Sequence, residues 1–359
     1  MTEERDVHFT AYERSLAKKR AVVFAIFLAT LGVVLFSLSR GAIEISFKDV
    51  LTALFGGGDR RNVAVVWDIR LPRAFAALVV GGTLAACGAT MQCVLQNALA
   101  SASILGVSQG AAFGAALGIV VFGGGVVTSG ASAVAMEIDN PYVVTFCAFI
   151  FGSTSAFVIL LLSRFKQEMG PDSLILAGVA LSSLFTGGFS LLQFFADETQ
   201  LGAVVFWTFG NLGGADWSEN AIMGGAFVAT MIFLTANSWK FNALSHGVDT
   251  AQGLGINANL TVLLSMTICS LAAAVCVSFV GIIGFVGLVA PHIMRKWVGD
   301  DYRFLTPAST IAGACLLIAA DTFGRLIIAP VVLPVGAVTS FLGAPVFLAL
   351  LIKGKRRYD

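Results

Sequence analysis

The sequence predicts an all-α membrane protein with about ten transmembrane helices. Three observations carry that prediction. Hydrophobic residues make up 57% of the 359-residue chain against 12% charged, and mean hydropathy is +0.88, the balance of an integral membrane protein rather than of two soluble domains. Apolar runs that fit bilayer spans recur near 21–39, 71–95, 103–123, 142–163, 173–195, 221–238, 260–280, 283–296, 306–326 and 335–352. Basic residues gather on alternate connections between those runs. Net charge is only +1, which argues against nucleic acid as a partner.

With the N-terminus inside, the inner segments carry Arg5, Arg14, Lys18, Lys19, Arg20, Arg164, Lys166, Lys240, Arg295, Lys296, Arg303, Lys353, Lys355, Arg356 and Arg357. Positive charge is retained on the cytoplasmic side, so both termini are predicted to be cytoplasmic in a multi-pass protein of the cell (inner) membrane. Residues 1–20 read as a cytoplasmic tail, 21–353 as one transmembrane domain and 354–359 as a second tail. No small-x-small cleavage site clearly follows the first run, so it reads as an uncleaved span. Arg40, Lys48, Arg60, Arg61, Arg70, Arg73 and Arg325 are left outside.

Residues 40–70 form an outer loop with a glycine turn at Gly56, Gly57 and Gly58, and Arg70-Leu71-Pro72-Arg73 opens the second span, since proline suits a first helical turn. Its arginines either snorkel to the interface or meet an acidic partner outside. Asn97 and Leu99 form the next inner turn, where Asn97 caps a helix or faces a transport route. The third span carries Gly106, Gly110, Gly114 and Gly118 on one face, a packing surface for another backbone.

On the fifth span Ser182, Thr186, Ser190 and Gln193 share a face. A polar stripe in a membrane helix faces a neighbour or water, unless its hydroxyls bond their own helix carbonyls, and both readings stay open. Asp197 and Glu198 then start a short helix that stops at Gly210-Asn211, placing Phe206, Trp207 and Phe209 at the outer mouth of that route. The outer loop 123–140 suggests little.

The polar stretch from Trp239 to Asn259, with the coupling segment near 240–259, reads as two short helical turns broken by glycine, a cytoplasmic knob suited to docking. Beyond it, Pro291 is expected to kink or divide the segment that follows Gly281, Gly284 and Gly287. His292 reads as interfacial rather than metal-binding, because His8 and His246 are the only other histidines. Asp321 and Arg325, one turn apart, are expected to pair. The six cysteines sit within apolar runs without a C-x-x-C pair and read as core residues.

Phosphate-cradling loops, H-E-x-x-H pairs and evident nucleophile-base pairs are missing from the sequence, and so are carboxylates within the span centres. The expectation is therefore a transporter subunit without cofactor or metal, no enzyme, whose energy comes from a separate ATPase acting on the knob. A stand-alone secondary carrier is the competing class.

Several ordered blocks carry a family resemblance: RLPRAFAALVVGGTLAACGATMQ from Arg70, QNALASASILGVSQGAAFGA from Gln96, LILAGVAL from Leu174, FWTFGNLGGADW from Phe206, LSHGVDTAQGLGI from Leu244, GFVGLVAPHIMR from Gly284 and LPVGAVTSFLGAPVFLALL from Leu333. Over nearly its whole length the chain resembles the iron-siderophore, haem and cobalamin permeases of ATP-binding cassette (ABC) importers, which have the type II fold. The resemblance implies a homodimer in the lipid bilayer, with substrate passing along its axis between the fifth spans. It implies two cassette ATPases below and one substrate-binding protein above.

By the same resemblance, Arg70, Arg73 and Arg325 match arginines that meet acidic residues of the binding protein. Asn97 and Leu99 with Pro171 and Asp172 would form the cytoplasmic gate, and Gly247, Asp249, Ala251, Leu254 and Gly255 the knob seated in the ATPase. The sequence departs from the family pattern at Asp249, usually glutamate, at His246, usually leucine, and at Ala98, usually proline. The implied cargo is a metal chelate, foremost an iron-siderophore complex, with haem, cobalamin and, less so, molybdate-type oxyanions as alternatives.

Overall fold

Each of the ten apolar runs is helical in the computed structural model, which describes residues 2–41, 44–123, 140–165, 171–329 and 331–354. The outer loop over 124–139 lies outside the described residues. The helices are α1 (Thr2–Ser39), α2 (Phe47–Leu54), α3 (Arg60–Ala64), α4 (Leu71–Val94), α5 (Val107–Val120), α6 (Pro141–Phe165), α7 (Pro171–Phe195), α8 (Glu198–Thr208), α9 (Trp217–Ala236), α10 (Ser238–Ser245), α11 (Val248–Gly253), α12 (Ala258–Val280), α13 (Val286–Val298), α14 (Tyr302–Leu326) and α15 (Val335–Gly354). A π-helical turn, Val65–Arg70, leads into α4. Among the described residues seven helices are long and apolar enough to cross a bilayer, while α5 and α15 are shorter apolar helices. The tail read from residues 1–20 is continuous with α1.

Helix α4 is the hub. Of its most apolar window 89% is buried, against 17% for α1 and for α7, so α4 lies inside the bundle and the other two at its edge. It packs on α9, α12, α13 and α14, while α5 packs on α6 and α7. Hydrophobic driving force is weak between helices in lipid, so close backbone approach has to supply the contact energy. Glycine permits it here: a Cβ on Gly81 would lie 2.5 Å from the carbonyl oxygen of Gly313 in α14. On α5, Gly110 and Gly114 meet the α6 backbone at Phe151 and Cys147, the packing role that the glycine spacing predicts.

Pro291 does not divide its segment. The break lies earlier, at Gly281, whose φ of +75° ends α12, and α13 runs unbroken through Pro291. Proline cannot donate to the carbonyl four residues back, here Gly287. That carbonyl instead lies directly over Gly88 of α4, where any side chain would collide with it. A helix–helix contact therefore occupies the place that the missing hydrogen bond leaves.

Candidate functional site

Three places along the bundle hold the residues singled out by sequence. At the knob end, α10 and α11 are joined by Gly247 at φ +109°, and Gly255 at φ +77° closes the second turn, conformations that favour glycine. His246, Asp249, Thr250, Gln252 and Leu254 face outward, with Leu254 66% exposed, whereas Ala251 is fully buried. Ala251 thus supports the knob from within rather than forming its docking surface.

The knob is tied to the bundle by residues that sequence reasoning missed. Asn242 of α10 donates to Asp301 Oδ1 at 3.0 Å and accepts the Tyr302 N–H at 2.7 Å, joining the knob to the start of α14. Gln96, held at φ +49°, donates to the Leu244 carbonyl at 2.7 Å, joining it to the end of α4. Arg295 of α13 pairs with Asp300 at 2.6 Å and reaches Gln92 Oε1 at 3.2 Å. Burial opposes the charge on Asp301, but hydrogen bonds from Arg303 and Asn242 outweigh it and hold the carboxyl down at about 2. Asp301 is therefore an anion throughout the physiological range. No spacing signal links Asn242 to residue 301, because the contact exists only after the helices pack.

Beside the knob, the Asn97 side chain accepts the Leu99 N–H at 2.8 Å and shapes its own turn; the next helix starts only at Val107, so Asn97 caps no helix, and Leu99 projects outward at 44% exposure. Pro171 and Asp172 open α7, and their side chains lie outside the described residues.

In the middle of the bundle, Ser182, Thr186 and Ser190 each donate to the carbonyl four residues back, at 2.8, 2.7 and 3.0 Å. Their donors are satisfied internally, yet Thr186 and Ser190 are exposed, and Gln193 is half-buried. Each hydroxyl oxygen keeps accepting capacity toward the outside. Ser182 and Thr186 line an open cleft of about 520 Å³ together with Ser103, Gln109 and Ser183. Ser103 and Gln109 went unnoticed in the sequence because they come from α5 and the turn before it, which Gly178 lets approach α7: a Cβ there would lie 2.8 Å from the Ile104 carbonyl oxygen.

At the opposite end, Asp321 of α14 lies between Arg73 of α4, which grips it through Nε and Nη2 at 2.8–3.1 Å, and Arg325, whose Nε stands at 3.0 Å. The predicted Asp321–Arg325 pair is present, and Arg73 is the addition. Arg325 also donates to Ser37 Oγ at 2.7 Å, and Arg70 to the Leu38 carbonyl at 2.5 Å. All three arginines thus hold the ends of α1, α4 and α14 together. The exposed basic side chains of this end are Arg40, Lys48, Arg60 and Arg61.

Helix α8 is present as expected, started by a capping box between Asp197 and Gln200 and ended before Gly210, whose φ is +74°. Phe206 and Phe209 are partly exposed, but Trp207 is packed with Val204 against α5 and Val277 of α12, and so belongs to the core rather than to a mouth.

A model of the FecCD transport family matches residues 28–353. An ABC transporter permease of Methanocaldococcus jannaschii is 48% identical over 95% of this chain and 97% of its own. An iron(III)-citrate import permease of Bacillus subtilis is 36% identical, covering 93% and 96%, and a haemin transport permease of Yersinia pestis is 34% identical, covering 89% and 92%. A solved structure of a metal-chelate type ABC transporter, captured inward-facing, superposes with a TM-score of 0.80 at 28% identity, covering 93% of this chain and 99% of the other.

Proposed function

We infer what this chain does from one premise: it belongs to the FecCD transport family, and it is a transmembrane permease subunit of an ABC importer. Its cargo, on our reading, is a metal chelate, foremost a ferric siderophore, taken into the cytoplasm by alternating access. Relatives that carry iron(III)-citrate and haemin support that class. Haem and cobalamin are the next candidates.

The observation that carries the proposal is the face of α7. It is the least buried long helix apart from α1, yet it bears Thr186 and Ser190 outward beside the cleft formed with Gln109. A hydroxyl-bearing face at the bundle edge makes sense where a second copy supplies the opposite wall of a hydrated route. We therefore place the path between the α7 helices of a homodimer, lined by Ser182, Thr186, Ser190 and Gln193. Its cytoplasmic gate lies at Asn97 and Leu99 with Pro171 and Asp172.

Two cassette ATPases would take the knob, contacting Gly247, Asp249, Leu254 and Gly255, with Ala251 as its internal support. Nucleotide states that prefer different knob positions would bias the bundle through Asn242 and Gln96. One binding protein would sit at the other end, its acidic lobes meeting Arg70, Arg73 and Arg325. Both termini would then be cytoplasmic.

The test is reconstitution of the chain in lipid with its partner ATPase and binding protein. Ferric hydroxamate, ferric citrate, haem and cobalamin would each be loaded on the binding protein, and stimulated ATP hydrolysis and uptake measured. Stimulation by one ligand names the cargo. Uptake without any ATPase would return the chain to the secondary-carrier class.

A further inference from the structure

A second cavity has the opposite chemistry to the hydroxyl cleft. It is a groove of about 800 Å³ on the flank of the bundle, between α1, α4, α9 and α14, walled by Phe27, Leu31, Phe75, Ala221, Gly224 and Ile311. Its few polar wall groups have turned their hydrogens inward. Trp217 Nε1 donates to the Trp67 carbonyl at 3.1 Å, Asn220 Nδ2 to the Pro72 carbonyl at 3.0 Å, and Thr310 to the Thr306 carbonyl at 2.8 Å. Thr30 donates to the Ile26 carbonyl at 2.8 Å. The wall of the groove is therefore mostly hydrocarbon and aromatic, with the unpartnered Asn220 Oδ1 and the second hydrogen of its amide buried behind it.

Its length is informative. The wall along α9 runs from Trp217 to Val228, about 16 Å at 1.5 Å per residue, which is half of a hydrocarbon core of about 30 Å. The upper end coincides with a tryptophan pair, Trp67 and Trp217, with ring centroids 6.4 Å apart, the residue type that marks a bilayer interface. A groove of that length that opens beside an interfacial tryptophan pair would run from headgroup level to midplane. A helix of that length and of about 10 Å diameter would need roughly 1,300 Å³, more than the groove holds. One acyl chain is slender enough.

We propose that this groove is a binding site for one acyl chain of a phospholipid, in the leaflet on the side of the Arg73–Asp321–Arg325 cluster. Only the naming of that leaflet as the outer one rests on the transport reading; occupancy does not. Held there, the chain would fill the wedge between α1 and α9 and brace both edge helices against α4.

Gly224 makes the proposal testable, because a Cβ there would meet nothing nearer than the Phe75 ring at 3.7 Å, so a larger residue would fill the groove instead of the backbone. Gly225, the next residue on the same helix, has nothing within 4 Å and does not line the groove. The full chain, Gly224→Leu and Gly225→Leu would be purified in mild detergent, offered phosphatidylglycerol and examined by native mass spectrometry. The expected result is one tightly held phospholipid on the wild type and on Gly225→Leu, with at least a fivefold lower occupancy on Gly224→Leu. Equal occupancy in all three, or none on the wild type, would overturn the site. ATPase coupling, measured separately, reports on the transport function and need not change with it.

Discussion

Asp321 is held on two sides. Its side chain is 2% exposed and lies between two guanidiniums that are themselves 17% and 12% exposed. Taking away one partner of a buried ionic group costs about 3–5 kcal/mol, because charge is left without compensation. Asp321→Leu is accordingly expected to lower the unfolding midpoint in detergent by several degrees, whereas Arg61→Ala on the exposed α3 should leave it unchanged. At Gly88 the limit is steric. Gly88→Leu would drive a side chain into the Gly287 carbonyl, and the expected outcome is loss of folded protein on size-exclusion chromatography. The Asp321–Arg325 pair was legible because it lies one helical turn apart. Arg73 was legible as an interfacial or partner-facing arginine but not as one paired within the chain, since its carboxylate partner stands 248 residues away.

At the scale of elements, the knob and α8 were readable because local chemistry defines them. Glycines with positive φ end the knob turns, and an aspartate with a glutamine three residues later starts α8. Gly247→Val forces a β-branched residue to φ +109°, a strain of about 1–3 kcal/mol. In reconstituted complexes this should leave basal ATP hydrolysis in place while transport falls severalfold. Asn242→Ala removes the tie between knob and α14 and should give the same uncoupling without strain in the turn. On α7, replacing Ser182, Thr186 and Ser190 together by alanine should change uptake more than stability, because hydroxyl-to-own-helix bonds add little to folding. That Pro291 leaves its helix undivided was not legible, since a proline signal is local, whereas the accommodating Gly88 sits on another helix.

For the whole molecule, the decisive proposal is the second copy on α7. Leu184 is 69% exposed on that helix, and five of the six native cysteines are buried, so background cross-linking is low. Single cysteines placed in turn at exposed positions along α7, Leu184 among them, are expected to give a disulfide-linked dimer in membranes at one or more sites. Absence of any cross-link along α7 would move the route elsewhere. Orientation is checked the same way: a membrane-impermeant maleimide applied outside intact cells should label Phe55→Cys, 90% exposed beside the glycine turn, and spare Leu254→Cys on the knob.

The sequence by itself determined the class of molecule, the apolar runs, the knob and the family, because hydropathy, caps and glycine turns act over one or two helical turns and ordered motif blocks survive divergence. Tertiary structure alone decided that α4 is the hub, that Arg70, Arg73 and Arg325 are engaged within the chain, that Gln109 joins the serine stripe, and that Asn242 fastens the knob. In a bundle whose helices are apolar on nearly every side, the pattern of hydrophobicity does not say which face meets which neighbour. That choice rests on close backbone contacts at glycines such as Gly81, Gly88 and Gly313, and on a few polar ties that form only once the helices have met.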